Sequence, residues 1–238
     1  MLRRKCPALD TFIIFLLLAN CAALSVGILF VDVLCLHNHV GEISVTEFTQ
    51  EALLLACAAL WLRSALKTPA LRGGCILIAG FYAALLIREL DYYFDAIYHG
   101  AWLWFALITT AAALWFARRW RHSVLPGLNA FTRHPASGYT LCGLVTILIF
   151  SRLFGMRAFW QTLLGDNYVM AVKTAIEEGT ELMGYTLCLF SSVWFCPGLK
   201  TKTRALLLNR PAPLQEPLQA TENLAYCASA NPIRDSLN

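Results

Sequence analysis

The chain has 238 residues, of which 58% are hydrophobic and only 14% charged, with a mean hydropathy of +0.57 and a formal net charge of +4. A soluble domain carries about 25% charged residues, so this composition excludes an ordinary soluble protein and points to a polytopic membrane protein. It also speaks against nucleic-acid binding, because the basic residues are divided between loops instead of gathered into one groove.

A helix that crosses the hydrocarbon core needs about 20 predominantly apolar residues, and six stretches qualify: 11–36, 45–66, 74–98, 101–117, 138–154 and 168–195. Strands are excluded by the length of these runs and by their lack of period-two alternation. The predicted fold is therefore all-α, a six-span bundle over residues 1–199. The first run follows Arg3, Arg4 and Lys5 as a signal peptide would, but it outlasts the roughly 7 to 15 apolar residues of a signal core and reads as an uncleaved span. Within it Ala19, Ala23 and Gly27 recur every four residues, a stripe along which a neighbouring helix could approach closely. Ser44-Val45-Thr46-Glu47 is a capping-box pattern at the start of span two. Spans three and four are joined through His99-Gly100, which predicts a tight antiparallel hairpin.

Between spans five and six, Met156, Phe159, Trp160, Leu163 and Leu164 follow helical spacing with Arg157 and Gln161 opposite, as expected of a short helix in the membrane interface. Asp166 or Asn167 is placed to cap span six. Residues 200–238 are polar, contain Pro211, Pro213, Pro217 and Pro232, and read as a disordered cytoplasmic tail. The nine cysteines form no CxxC pair and lie mostly in apolar runs, which is the pattern of small buried hydrophobes.

Orientation follows from the basic residues. Fifteen of the nineteen Lys and Arg fall on one side of a six-span topology, among them Arg63, Lys67, Arg72, Arg118, Arg119, Arg121 and Arg133, against only Arg152 and Arg157 in the opposite loops. Both termini are expected in the cytoplasm, and the protein in the inner or plasma membrane.

Eleven of the fifteen acids have the opposite bias, and eight of them fall in spans two, three and six, where Arg88 and Lys173 are the only bases. An ionisable group at the centre of a membrane helix costs about 2.5 to 3.5 kcal/mol or more, so such groups face a bundle interior or a water-filled cavity. Helical spacing groups them: Glu47 and Glu51 on span two; Arg88, Asp91, Tyr92, Asp95 and His99 on one face of span three with Glu89 beside it; Lys173, Glu177 and Glu181 on span six with Glu178 beside them. The candidate site is thus Glu51, Arg88, Glu89, Asp91, Asp95, His99, Lys173, Glu177, Glu178 and Glu181, lining a cavity open to the outer side.

Excess negative charge in such a place must be met by protons, water or a bound cation. The leading expectation is proton- or cation-linked transport; the alternatives are a membrane-embedded metal-dependent hydrolase acting on a lipid-like substrate, and a non-catalytic scaffold. Asp95 and His99 are the best pair for a divalent metal ion, with His37 and His39 a second place to look. No HExxH, GxSxG, GxGxxG or GxxxxGK[ST] motif is present. Counting 1.5 Å per residue, Arg88 lies roughly 16 Å below His99 on a continuous span three. At that depth it needs a carboxylate, and the arithmetic predicts a bridge to span six chiefly through Glu177. Glu178, Glu181, Glu89 and Asp91 would then carry the titratable role.

Overall fold

The computed structural model describes residues 7–37 and 44–198. The tail assigned to 200–238, and with it Arg3, Arg4, Lys5, His39 and Glu42, lie outside the described residues. Every regular element among those described is helical.

The first helix, α1 (Pro7–Phe30), continues through a π-helical segment (Val31–Leu36) and is followed by α2 (Val45–Lys67), α3 (Arg72–Glu89) and the short α4 (Asp91–Asp95). Then come α5 (Ala101–Arg119), α6 (Val124–Thr132), and α7 (Ala136–Val145), which runs through a π-helical turn (Thr146–Phe150) into α8 (Ser151–Phe154). Last are α9 (Arg157–Leu164) and α10 (Met170–Phe195). Five segments are long and apolar enough to cross a membrane: Ala8–Leu36, Val45–Lys67, Pro69–Glu89, Ala101–Arg119 and Ala136–Phe154. The chain is a helical membrane protein in that sense. The 26-residue α10 is not among the five; Lys173, Glu177, Glu178 and Glu181 lower its apolar character.

That helix is nevertheless the packing centre, with α1, α2 and α7 all against it, while α2 also packs on α3, and α3 on α5 and α6. Its inward stripe of Glu181, Tyr185, Cys188, Ser192 and Phe195 meets the inward stripe of α2, formed by Leu54, Cys57, Trp61 and Ala65. Trp61, 1% exposed, stacks on Phe195 with ring centroids 5.2 Å apart, meets Phe131 edge-on at 4.9 Å, and donates its indole N–H to Ser192 Oγ at 3.0 Å. Glycine sets the distance between α7 and α10, since a Cβ at Gly143 would lie 2.6 Å from the Gly184 carbonyl oxygen. Hydroxyls bridge the same helices: Thr140 donates to Ser191 at 2.7 Å, and Ser191 to the Ala136 carbonyl at 2.6 Å. Such interhelical contacts replace the hydrophobic drive that lipid does not supply.

Several sequence-based expectations need correction. The stripe Ala19, Ala23 and Gly27 is exposed, and a Cβ on Gly27 would touch nothing. Instead α1 meets α10 through its opposite side, where Ser25 Oγ is 3.2 Å from Thr186 Oγ1. Span three is not continuous to residue 98: α3 stops at Glu89, Leu90 takes a bridge-region conformation (φ −80°, ψ 18°), and α4 starts anew. Neither Asp166 nor Asn167 caps α10, whose N-cap position is the extended Val169 with no side-chain bond. The Ser44 cap does form, its Oγ accepting the Glu47 N–H at 3.1 Å.

Candidate functional site

The last turn of α3, the α8 segment and the first third of α10 bring ionisable side chains together at one end of the bundle. On α10, Glu177 and Glu181 are one turn apart and inward, 8% and 1% exposed. At that separation one guanidinium fork can reach both, and Arg152 of α8 does so, with Nη1 2.7 Å from Glu177 Oε1 and Nη2 2.6 Å from Glu181 Oε1. Gly155 lets the chain pass close by, since a Cβ there would lie 3.0 Å from the Glu177 carboxyl carbon.

The pairing continues in both directions. Glu177 also takes Lys173, one turn earlier on α10. Glu181 accepts the Ser151 hydroxyl at 3.0 Å and lies 3.7 Å from Arg88 Nη2. Arg88 pairs with its neighbour Glu89, which accepts the Tyr185 hydroxyl at 2.5 Å. The result is one chain of alternating charge, Lys173–Glu177–Arg152–Glu181–Arg88–Glu89, ended by a buried phenol and drawn from three segments. Three bases meet three acids, so the chain carries no net formal charge.

Two acids stand outside this balance. Among the described residues Glu178 has no cation within ion-pair distance; the fully buried Gln50 of α2 donates its amide to the Glu178 carboxylate at 3.1 Å and to its main-chain carbonyl at 3.0 Å. The oxygen of that amide, Gln50 Oε1, is buried with no hydrogen-bond partner among the described residues. Glu51, the next residue on α2, is half-buried and forms no ion pair or hydrogen bond among the described residues.

The expected bridge from Arg88 to Glu177 is not formed. Arg88 does link α3 to α10, but through Glu181, while Glu177 is taken by Arg152 and Lys173. The depth arithmetic fails for a physical reason: with α3 ending at Glu89, Arg88 occupies the final turn of its helix, not a position 11 residues inside one. The same break removes Asp91, Asp95 and His99 from the cluster. Asp91 and Tyr92 are exposed. Asp95 accepts the Gly100 N–H at 2.8 Å and faces His99 Nδ1 at 2.9 Å, which folds the turn into α5, and the His99 side chain is 99% exposed. Among the described residues no group of three or more His, Cys, Asp or Glu is arranged to hold a metal ion. The paired groups form an ionic core, reached from its edge by Arg152 and Lys173, whose side chains are 44% and 25% exposed.

Sequence reasoning passed over Gln50, Ser151, Arg152 and Tyr185. Arg152 was legible, because it lies inside the fifth apolar run, yet counting it as a loop charge hid it from the ledger of intramembrane bases. Asp32 was passed over as well: fully buried, it accepts the Val45 and Thr46 N–H groups at 2.9 and 2.7 Å and the Thr46 hydroxyl at 2.5 Å, so an acid in span one caps span two.

No family model, curated protein or solved structure matches the chain. Function is therefore to be read from this geometry.

Proposed function

We propose that the chain is a six-span protein of the inner or plasma membrane with both termini cytoplasmic, and that it works in proton- or cation-linked transport with Glu178 as the exchange site. Treating α10 as the sixth span is supported by its length, about 39 Å at 1.5 Å per residue, and by its central packing. Its charged groups are turned toward protein partners, so its polarity need not meet lipid. On this topology α9 lies in the outer interface and the ionic core at the outer end, away from Arg63, Lys67, Arg118 and Arg119. Reporters fused after Gly165 should then read as external and those after Lys67 or Asn129 as cytoplasmic; a cytoplasmic signal at Gly165 would contradict the orientation.

The observation that carries the reading is the contrast between the balanced chain and Glu178. Taking up a proton or cation at Glu178 disrupts no ion pair, and the Gln50 amide can serve both forms of a carboxyl group, donating through nitrogen to the anion or accepting through oxygen from the acid. The test is a pH jump on proteoliposomes adsorbed to a solid-supported membrane. Wild type should give a transient charge displacement that Glu178→Gln abolishes while remaining folded and inserted; an equal signal from the variant would contradict the assignment. A second reading, a non-catalytic scaffold, is favoured by the complete pairing of the six charged groups, which is how polar residues lock helices together. It predicts that Glu178→Gln lowers folded yield with no separable electrical defect.

A further inference from the structure

Of the five apolar spans, α1 with its π-helical continuation is the least enclosed: 6% of its most apolar stretch is buried, against 17% to 39% in the others. It meets α10 through the side that carries Ser25, which leaves the opposite side bare. On that bare side Ile13, Leu16, Asn20, Ala23, Gly27 and Phe30 follow one another in alternating steps of three and four residues, and every one is exposed. Such alternation is the seam along which two helices supercoil left-handedly. Asn20 is its one polar member. The carboxamide, which can both donate and accept, has no hydrogen-bond partner among the described residues. By the helical rise Asn20 lies about 18 Å from Ala8 and about 24 Å from Leu36, deep within the hydrocarbon, and its side chain is too short to reach either surface.

An amide facing lipid is as badly placed as one sealed unpaired inside a protein, because hydrocarbon offers nothing to bond to. Whatever covers this face must bring a polar group to the depth of Asn20. A second copy of the chain does so automatically. Copies inserted by the same topological signals share one orientation, so a two-fold axis along the membrane normal sets Asn20 against Asn20, and a carboxamide can donate to and accept from its own image. Beside it the seam is small: Ala23 is followed by Gly27, where a Cβ would meet nothing within 4 Å, so two backbones have room to approach. We propose that α1 is a self-association surface, through which two copies of the chain pair in parallel along this seam with reciprocal Asn20 hydrogen bonds at its centre. A single polar residue in an otherwise apolar seam fixes register and strand number. The inference rests on α1 being a membrane span and is independent of the role of Glu178.

The test uses the full chain, carrying one fluorophore at its C-terminus and reconstituted into large vesicles over a range of lipid-to-protein ratios, with copies counted by single-molecule photobleaching. Wild type should bleach in two steps at high density and pass to one step on dilution, as a monomer–dimer equilibrium requires. Asn20→Leu should raise the apparent dissociation constant roughly threefold to thirtyfold, the range for interhelical hydrogen bonds in membranes. Gly27→Val, which puts bulk where the backbones approach, should raise it about fivefold or more. Thr110→Val, which removes an exposed hydroxyl from α5, should leave it unchanged. One-step bleaching of wild type at every density would leave the face to a different partner or to lipid and overturn the proposal, and a predominance of three or more steps would overturn the two-fold pairing. Equal shifts in Asn20→Leu and Thr110→Val would mark association without this seam and overturn it as well. If Asn20→Leu fails to fold, Gly27→Val alone must weaken the dimer; a wild-type equilibrium in that variant would equally overturn the proposal.

Discussion

Replacing Arg152 with leucine removes the joint of the alternating chain. Its guanidinium lies 2.7 Å from one buried carboxylate and 2.6 Å from another. Breaking a buried pair by removing one partner costs about 3 to 5 kcal/mol, because the orphaned charge stays buried. Two features reduce that figure. The Arg152 side chain is 44% exposed, so solvent screens part of the interaction. Glu177 also keeps Lys173, and Glu181 keeps Ser151 and Arg88. A loss of about 2 to 3 kcal/mol is expected, which for a chain of this size lowers the apparent unfolding midpoint by roughly 4 to 12 °C. The assay is thermal unfolding in one detergent at one scan rate, since such midpoints depend on rate when unfolding is irreversible. Arg157→Leu, which removes a charge without an ion pair among the described residues, should stay within about 0.5 kcal/mol of wild type. Adding Glu181→Leu to Arg152→Leu should recover about 1 kcal/mol or more, whereas Arg88→Leu with Glu177→Leu should show much smaller coupling because those groups do not touch. Equal effects of Arg152→Leu and Arg157→Leu, or additivity in the Arg152/Glu181 cycle, would refute the alternating chain.

Asp32→Ala should cost about 1 to 3 kcal/mol, because it strips the start of α2 of acceptors for two backbone N–H groups and a hydroxyl; thermal unfolding reads it, and an unchanged midpoint would contradict the cap. Gly143→Val should sharply reduce folded yield by forcing α7 away from α10, as monitored by size-exclusion chromatography, while Gly27→Val, where the added atoms meet open space, should not. Cys196 should resist maleimide at pH 7 and react about tenfold faster per pH unit up to about 11, since only the thiolate attacks and burial has raised the thiol to that value; a rate that levels off near pH 9 would contradict the burial.

Five long apolar helices were legible because lipid imposes a length and an apolar character that few other environments demand. The Leu90 break was not, because no proline or glycine marks it. That single break relocated Asp91, Asp95 and His99 from the candidate site to an exposed turn, since three of the members expected on one helical face depended on unbroken periodicity. The shared inward ridge of Glu177 and Glu181 on α10 was legible because i, i+4 spacing within one helix is local information. Their partners were not, as Arg152 reaches them from a helix 25 residues away in sequence, and the choice between Arg88 and Arg152 for Glu177 is a matter of packing. Gln50 illustrates the same point: nothing in its neighbourhood distinguishes it until α2 and α10 are placed side by side.

The central claim is that one carboxyl group, Glu178, exchanges its proton or ion while the chain beside it stays paired. Infrared difference spectroscopy of the reconstituted protein across a pH series tests it most directly, because protonated carboxyl groups absorb apart from carboxylates. One component of the titrating protonated-carboxyl band should be present in wild type, lost in Glu178→Gln, and retained in the Asp95→Asn control. A band whose components are all unchanged by Glu178→Gln in a folded protein would contradict the account.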